Sequence, residues 1–237
     1  MNRLNSIKQD LLIVSNKDKA KLLSRFFKTG PGQYGEGDVF AGIVVPDIRK
    51  VVKKHRDMKL SDIVKLLHSR EHEFRLTALL LLVYKYSKGS DEEKQKIYDI
   101  YLANTKWINN WDLVDLSAPR IIGEHLVTNK KDRSILIKLA KSSSLWERRI
   151  AVLATFAFIK SGECKEVFKI SEMLLKDEHD LIHKAVGWML RELGKRCGRD
   201  VEISFLEKHY KEMPRTMLRY SIEHFSEGER GKYMNRD

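Results

Sequence analysis

Cysteine is nearly absent from this 237-residue chain, and the two that occur, Cys164 and Cys197, lie 33 residues apart inside helical segments. That spacing matches no metal site and suits a reduced, cytosolic compartment. Long apolar runs are missing as well. The longest, Leu79 to Val83, falls far short of the ~18 residues that a membrane span requires, and MNRLNSIKQDLLIVSNKDKA has no apolar stretch with a cleavage site, as a secretory signal would. Alternating Val, Ile and Thr runs do not occur, which excludes a strand-built fold. Acidic residues are outnumbered, 33 against 45 Lys and Arg, leaving a net charge of +12. A balance of that sign favours a polyanionic partner: nucleic acid first, then anionic lipid or an acidic protein. No Ser, Cys or Thr sits in a recognisable nucleophile motif.

What is present is a beat of five helical cores: EFRLTALLLLVYKY from Glu73, WDLVDLSAPRIIG from Trp111, WERRIAVLATFAFIK from Trp146, LIHKAVGWMLRELGK from Leu181 and RTMLRYSIEHF from Arg215. Aligned by their apolar runs, they set Arg75, Asp112, Arg149, Lys184 and Arg219 in register, 37, 37, 35 and 35 residues apart. About two helices per unit at that period predicts an all-α, HEAT-like α-solenoid, a curved stack of about six repeats with a basic concave face. A 42% hydrophobic content suffices for a continuous core in one domain, residues 1–237. Residues 1–28 read as a lysine-rich amphipathic cap, with Leu11, Leu12, Leu22, Leu23, Phe26 and Phe27 on its apolar side. Residues 29–45 follow as a glycine-rich loop. No strand precedes that loop and no Gly-Lys-Ser/Thr follows it, which argues against a phosphate cradle. Pro46 then fits a first helical turn, and polar breaks are expected at 58–60, 88–91, 128–132, 142–144, 161–163 and 177–180.

Trp111 and Asp115 are four apart, one above the other on a helix face. The plain reading is a solvated or salt-bridged aspartate beside a core tryptophan. The other reading rests on the register, which turns acidic only in this segment; a carboxylate on a basic face repels a phosphate backbone unless it has another task. Trp107 and Trp146 read as core fillers. Trp188 shares its face with Lys184 and Arg191, a setting for stacking on bases. Arg148 and Arg149 are adjacent and cannot share a face, so one of the two is expected to reach solvent. Arg215 and Arg219, one turn apart, read either as a solvated face or, with Arg75, Arg149 and Lys184, as a phosphate track. His179 and His183 have a metal spacing without a third ligand, and His72, His125 and His224 have no evident partner.

Three segments, WDLVDLSAP at 111–119, WERRIAV at 146–152 and KAVGWMLRELGK at 184–195, resemble the DNA alkylation repair family of AlkD-like glycosylases, which have HEAT-like repeats. FFKTGPGQYGEGD at 26–38 and VPDIRK at 45–50 are similar to its amino-terminal portion, so the likeness spans nearly the whole chain. The resemblance implies a DNA glycosylase of base excision repair that hydrolyses the N-glycosidic bond of N3- or N7-alkylated purines. Asp115 would be the catalytic carboxylate, Trp111 and Trp188 would contact the damaged nucleotide, and Arg149 would help to hold the DNA there. Arg148, Lys184, Arg191, Arg215, Arg219 and Arg75 complete the expected backbone contacts. Where well-known members have a first-repeat tyrosine, this chain offers Phe26 or Phe27, with Tyr34 displaced into the loop, so a hydroxyl hydrogen bond is lost. No metal or cofactor is implied. The expected partner is duplex DNA with alkylated bases, met by a monomer in the cytoplasm, at the nucleoid. The alternatives are a non-catalytic HEAT-like scaffold for DNA or RNA and a solenoid binding an acidic protein.

Overall fold

Several helices in this chain begin at a side-chain cap. The computed structural model describes residues 3–128 and 132–235. The helices are α1 (Arg3–Ile13), α2 (Lys17–Phe26), α3 (Val45–Lys54), α4 (Leu60–Leu67), α5 (His72–Lys88), α6 (Asp91–Ala103) and α7 (Trp111–Ala118). They continue as α8 (Glu124–Thr128), α9 (Ser134–Ala140), α10 (Leu145–Lys160), α11 (Lys165–Met173), α12 (Asp180–Cys197), α13 (Arg199–His209), α14 (Arg215–Ser221) and α15 (Glu227–Met234). A 3-10 turn spans Thr105–Trp107 and a π-helical turn Pro119–Gly123. The Asn16 side chain accepts from the amides of Asp18 and Lys19 to start α2, Pro46 sits in the first turn of α3, and Ser90 forms a capping box with Glu93 at α6. Ser144 and His179 cap α10 and α12.

The described residues contain no strand, only an isolated bridge between Val39 and Glu71, and no helix is long and apolar enough to cross a membrane. The all-α expectation holds, and the helices begin and end close to the anticipated breaks. The break at 128–132 lies mostly outside the described residues.

Contacts divide the chain into two compact units, Met1–Ser117 and Ala118–Asp237. In the first, α5 is buried nearly all round, against α3, α4 and α6, with α1 on α3 and α4. In the second, α10 has the same character and packs on α9, α11, α12 and the π turn, while α12 packs on α13 and α14. Within each unit a helix meets chiefly helices one or two places away in sequence, as in α-solenoid-like folds. The α12–α14 contact is close because Gly187 has no side chain: a Cβ there would lie 2.4 Å from the carbonyl oxygen of Met217.

The amino-terminal cap departs from expectation. Leu11 and Phe27 are buried, but α2 buries none of its residues, and Leu12, Leu22 and Phe26 are exposed. Phe27, just past the helix end, makes the contact with the core that the body of α2 does not.

Candidate nucleic-acid interface

The glycine-rich segment is held by one carboxylate. Glu73, buried on α5, accepts hydrogen bonds from the backbone amides of Ala41, Gly42 and Ile43 at 2.9, 2.8 and 3.1 Å. Donors that might have met a phosphate are thereby satisfied inside the protein. Gly42 has φ of +77° and presses on the backbone of Asn16, where a Cβ would come within 1.9 Å of the carbonyl oxygen. The loop is tied again where the His72 amide donates to the Val39 carbonyl.

Beneath this loop lies a buried charge cluster. His72 Nδ1 is 3.1 Å from Asp38 Oδ2 and its Nε2 is 2.9 Å from Asp112 Oδ2. Arg75 donates to Asp38 Oδ1 at 2.6 Å and to the carbonyls of Ser69 and Arg70. Asn109 and Asn110 also donate to Asp38. Burial opposes the charged form of His72, but the Asp112 carboxylate and the hydrogen bonds to Asp112 and Asp38 outweigh it and raise the imidazole to about 8. Burial likewise opposes ionisation of Asp38, and His72 and Arg75 reverse that and lower its carboxyl. Asp112 also accepts from the Leu113 amide, which ties the cluster to the first turn of α7.

Above the cluster stands an aromatic tier. Phe40 stacks on His72 at 4.5 Å between centroids, Phe27 lies 5.0 Å from His72, and Trp111 stacks on Phe27 at 5.1 Å with planes 14° apart. Phe26 meets Trp111 edge to face at 6.0 Å. Trp111 and Asp115, one turn apart on α7, are both partly exposed. The Asp115 charge acts with burial to raise the Tyr101 hydroxyl, which pairs with Ser117 at 2.9 Å.

In the second unit Trp188 is half-buried on α12, with Phe156 of α10 at 6.5 Å. Lys184, on the same helix, pairs with Asp180 at 2.6 Å, and Arg191 pairs with Glu223. Arg215 and Arg219 on α14 are exposed and make no ion pair among the described residues.

A family model described as DNA alkylation repair enzyme matches residues 7–225. The chain belongs to this family. Among solved structures it is similar to a predicted DNA alkylation repair enzyme from Enterococcus faecalis, with a TM-score of 0.69 and 19% identity over 90% of this chain and 97% of that one. No curated protein matches it. At that identity the structural likeness speaks for the α-solenoid-like fold, and the family match for a role in alkylation repair.

For this member of the alkylation repair family, the structure brings Phe26, Phe27, Trp111 and Asp115 together on the first unit, and it places Trp188 with Lys184 and Arg191 on the second. Several expected roles need correction. Arg75 is 3% exposed and spent on Asp38, and Arg149 is 4% exposed and donates to the Leu181 carbonyl, so neither is presented to a DNA backbone. Asp112 is buried too, so the register from Arg75 through Asp112 to Arg149 marks interior positions. Arg148 does not reach solvent freely either: it donates to Asp177 at 2.6 Å and to the carbonyls of Ser142 and Ser143. Phe27 is 7% exposed and supports Trp111 from beneath, leaving Phe26 as the accessible ring. Trp107 and Trp146 are not core fillers: both are partly exposed, and Trp107 stacks on His68.

His72 and Asp38 were invisible in sequence as a pair. His72 has Asp38 and Asp112 as partners, and His224 faces Glu202. His179 caps α12, while the His183 ring bonds the Asp177 carbonyl. The only signal for the cluster was the acidic register position at Asp112.

Proposed function

We propose that this protein is a monofunctional DNA glycosylase that hydrolyses the N-glycosidic bond of purines made cationic by alkylation at N3 or N7, starting base excision repair. The observation that carries this reading is the partly exposed Trp111–Asp115 pair on α7, backed by Phe27 and flanked by the exposed ring of Phe26. The family match supports the repair role.

The chemistry asks little of the protein. A purine alkylated at N3 or N7 already carries positive charge, so it departs with the electron pair of the glycosidic bond and needs no general acid. The sugar left behind becomes oxocarbenium-like, and the Asp115 carboxylate beside it would stabilise that charge and orient the attacking water. The water adds at the anomeric carbon and gives up a proton, leaving an abasic site. Indole and phenyl faces at Trp111 and Phe26 attract cationic rings and exclude solvent. The partner is duplex DNA carrying alkylated bases. On the second unit, Trp188, Arg215 and Arg219 are the groups available to stack or to meet phosphates, whereas Lys184 would first have to exchange its Asp180 partner.

The test is base release from methylated duplex DNA by the wild type and by Asp115→Asn, with the DNA affinity of both measured alongside. Release by the wild type alone, at equal affinity, is expected. Binding by both with release by neither would leave a non-catalytic scaffold. Uracil, an uncharged leaving group, should not be released, and its appreciable release would overturn the mechanism.

A further inference from the structure

Each ring nitrogen of His72 faces a carboxylate oxygen, Asp38 on one side and Asp112 on the other. Ionised carboxylates only accept, and a neutral imidazole donates from one nitrogen alone. Only the doubly protonated ring satisfies both contacts, and in that state His72 and Arg75 balance Asp38 and Asp112 charge for charge. Neutral His72 would leave a lone pair against a carboxylate at about 3 Å in a site it shares with no solvent, since its side chain is 1% exposed. The other carboxyl group beside it on α5, Glu73, is occupied by the amides of residues 41–43. From α2's end and the loop, the faces turned to the ring are those of Phe27 and Phe40.

What this imidazolium joins is informative. Asp38 lies within the glycine-rich loop, and Asp112 is the second residue of α7, next to Trp111, whose backbone amide donates to Asn110 Oδ1. Phe27 touches both His72 and Trp111. We propose that doubly protonated His72 is the positioning residue of the Trp111–Asp115 face, clamping the first turn of α7 to the loop and fixing the pitch of the Trp111 ring. The ring never touches substrate. Its effect on base release rests on the glycosylase reading; its effect on Trp111 does not.

Proton release from His72 should therefore loosen the clamp. With its midpoint at about 8, the protonated fraction falls roughly tenfold between pH 7 and 9.

The experiment uses the full-length wild type. Nitrogen-15 spectra of the imidazole, assigned by their loss in His72→Gln, give the titration directly. Fluorine spectra of protein labelled with 5-fluorotryptophan, assigned with Trp111→Phe, report the indole. Single-turnover release of methylated purine is followed from pH 6.5 to 9, corrected for spontaneous loss. His72 and Trp111 are expected to titrate together near pH 8, and the release constant to fall about tenfold with the same midpoint while DNA affinity stays within twofold. Asp112→Asn should move the midpoint of both spectra down by at least one pH unit, and His72→Gln should abolish the pH dependence of Trp111. An imidazole that titrates at or below 6.5, or a Trp111 resonance that ignores it, overturns the clamp. A release constant flat from pH 7 to 9 while Trp111 moves overturns its role in positioning. Coupled titration without release at any pH leaves the clamp intact and sinks the glycosylase reading instead.

Discussion

Replacing Glu202 by glutamine is expected to stabilise the second unit, and to do so only above the pH at which a solvated glutamate ionises. Glu202 is fully buried on α13, in space left by Gly194 on α12, where a Cβ would lie 1.8 Å from its Oε2. Neither carboxyl oxygen has a hydrogen-bond partner among the described residues, and His224 Nε2, 3.2 Å from Oε2, is not aligned for one. Burial lifts the carboxyl to about 8 against the pull of Arg199, Lys195 and Arg191. The unfolded chain loses this proton near pH 4.5 while the folded chain keeps it to about 8, so stability falls as pH rises across that window. At roughly 1.4 kcal/mol per pH unit the shift sets a ceiling of about 5 kcal/mol. Relaxation and water entry reduce such penalties, and a gain of about 2–3 kcal/mol for Glu202→Gln at pH 8, shrinking to about zero at pH 4.5, is expected. Urea unfolding followed by circular dichroism at four pH values between 4.5 and 8 measures it. His72, whose raised imidazole makes its own loss of stability between about 6.5 and 8, contributes equally to both proteins and cancels in the difference. A variant whose stability runs parallel to the wild type in pH, or that is weaker at pH 8, would refute the reasoning.

Gly42→Ala should cost about 3 kcal/mol or more, because its φ of +77° disfavours a side chain and the new Cβ would collide with the Asn16 carbonyl; a thermal melt reads the loss. Phe27→Ala should cost about 3–5 kcal/mol through the cavity it opens under Trp111, whereas Phe26→Ala should change stability by less than ~0.5 kcal/mol and weaken binding to methylated DNA. Equal melting temperatures for the two would contradict the division between support and contact. Replacing Arg215 and Arg219 together should lower the slope of log affinity against log salt by up to ~2, and an unchanged slope would remove them from the DNA-facing surface.

Local chemistry made much of the fold legible from the chain. Pro46 begins its helix and the polar breaks separate helices, since turns and first helical turns depend on residues that are neighbours in sequence. Trp111 and Asp115 were readable for the same reason, as a single-turn spacing on one helix. The charge register misled because periodicity reports which residues are equivalent between repeats and not whether that equivalent position faces water. Arg75 and Arg149 are buried at a position where a basic surface was expected, and each donates to a partner 37 or 32 residues away that no pattern announces. His72 was unreadable on the same ground: its two partners come 34 positions before it and 40 after it. The apolar side of α2 looked like core, yet amphipathicity states only that a face could be buried, and here the burial falls to Phe27 beyond the helix end.

The stitching of residues 41–43 by Glu73 has a consequence for the thermodynamics of ligand capture. A glycine-rich loop ordinarily surrenders conformational freedom when it closes on an anion, and that loss is subtracted from affinity. Here the protein's own carboxylate already occupies the amides, so the segment is ordered before any partner arrives and its shape does not depend on one. On the function proposed above, phosphates would be gripped by side chains and not by these three amides. A grip of that kind is tuned by ionic strength and insensitive to base sequence, which, on that same proposal, suits a search along undamaged duplex.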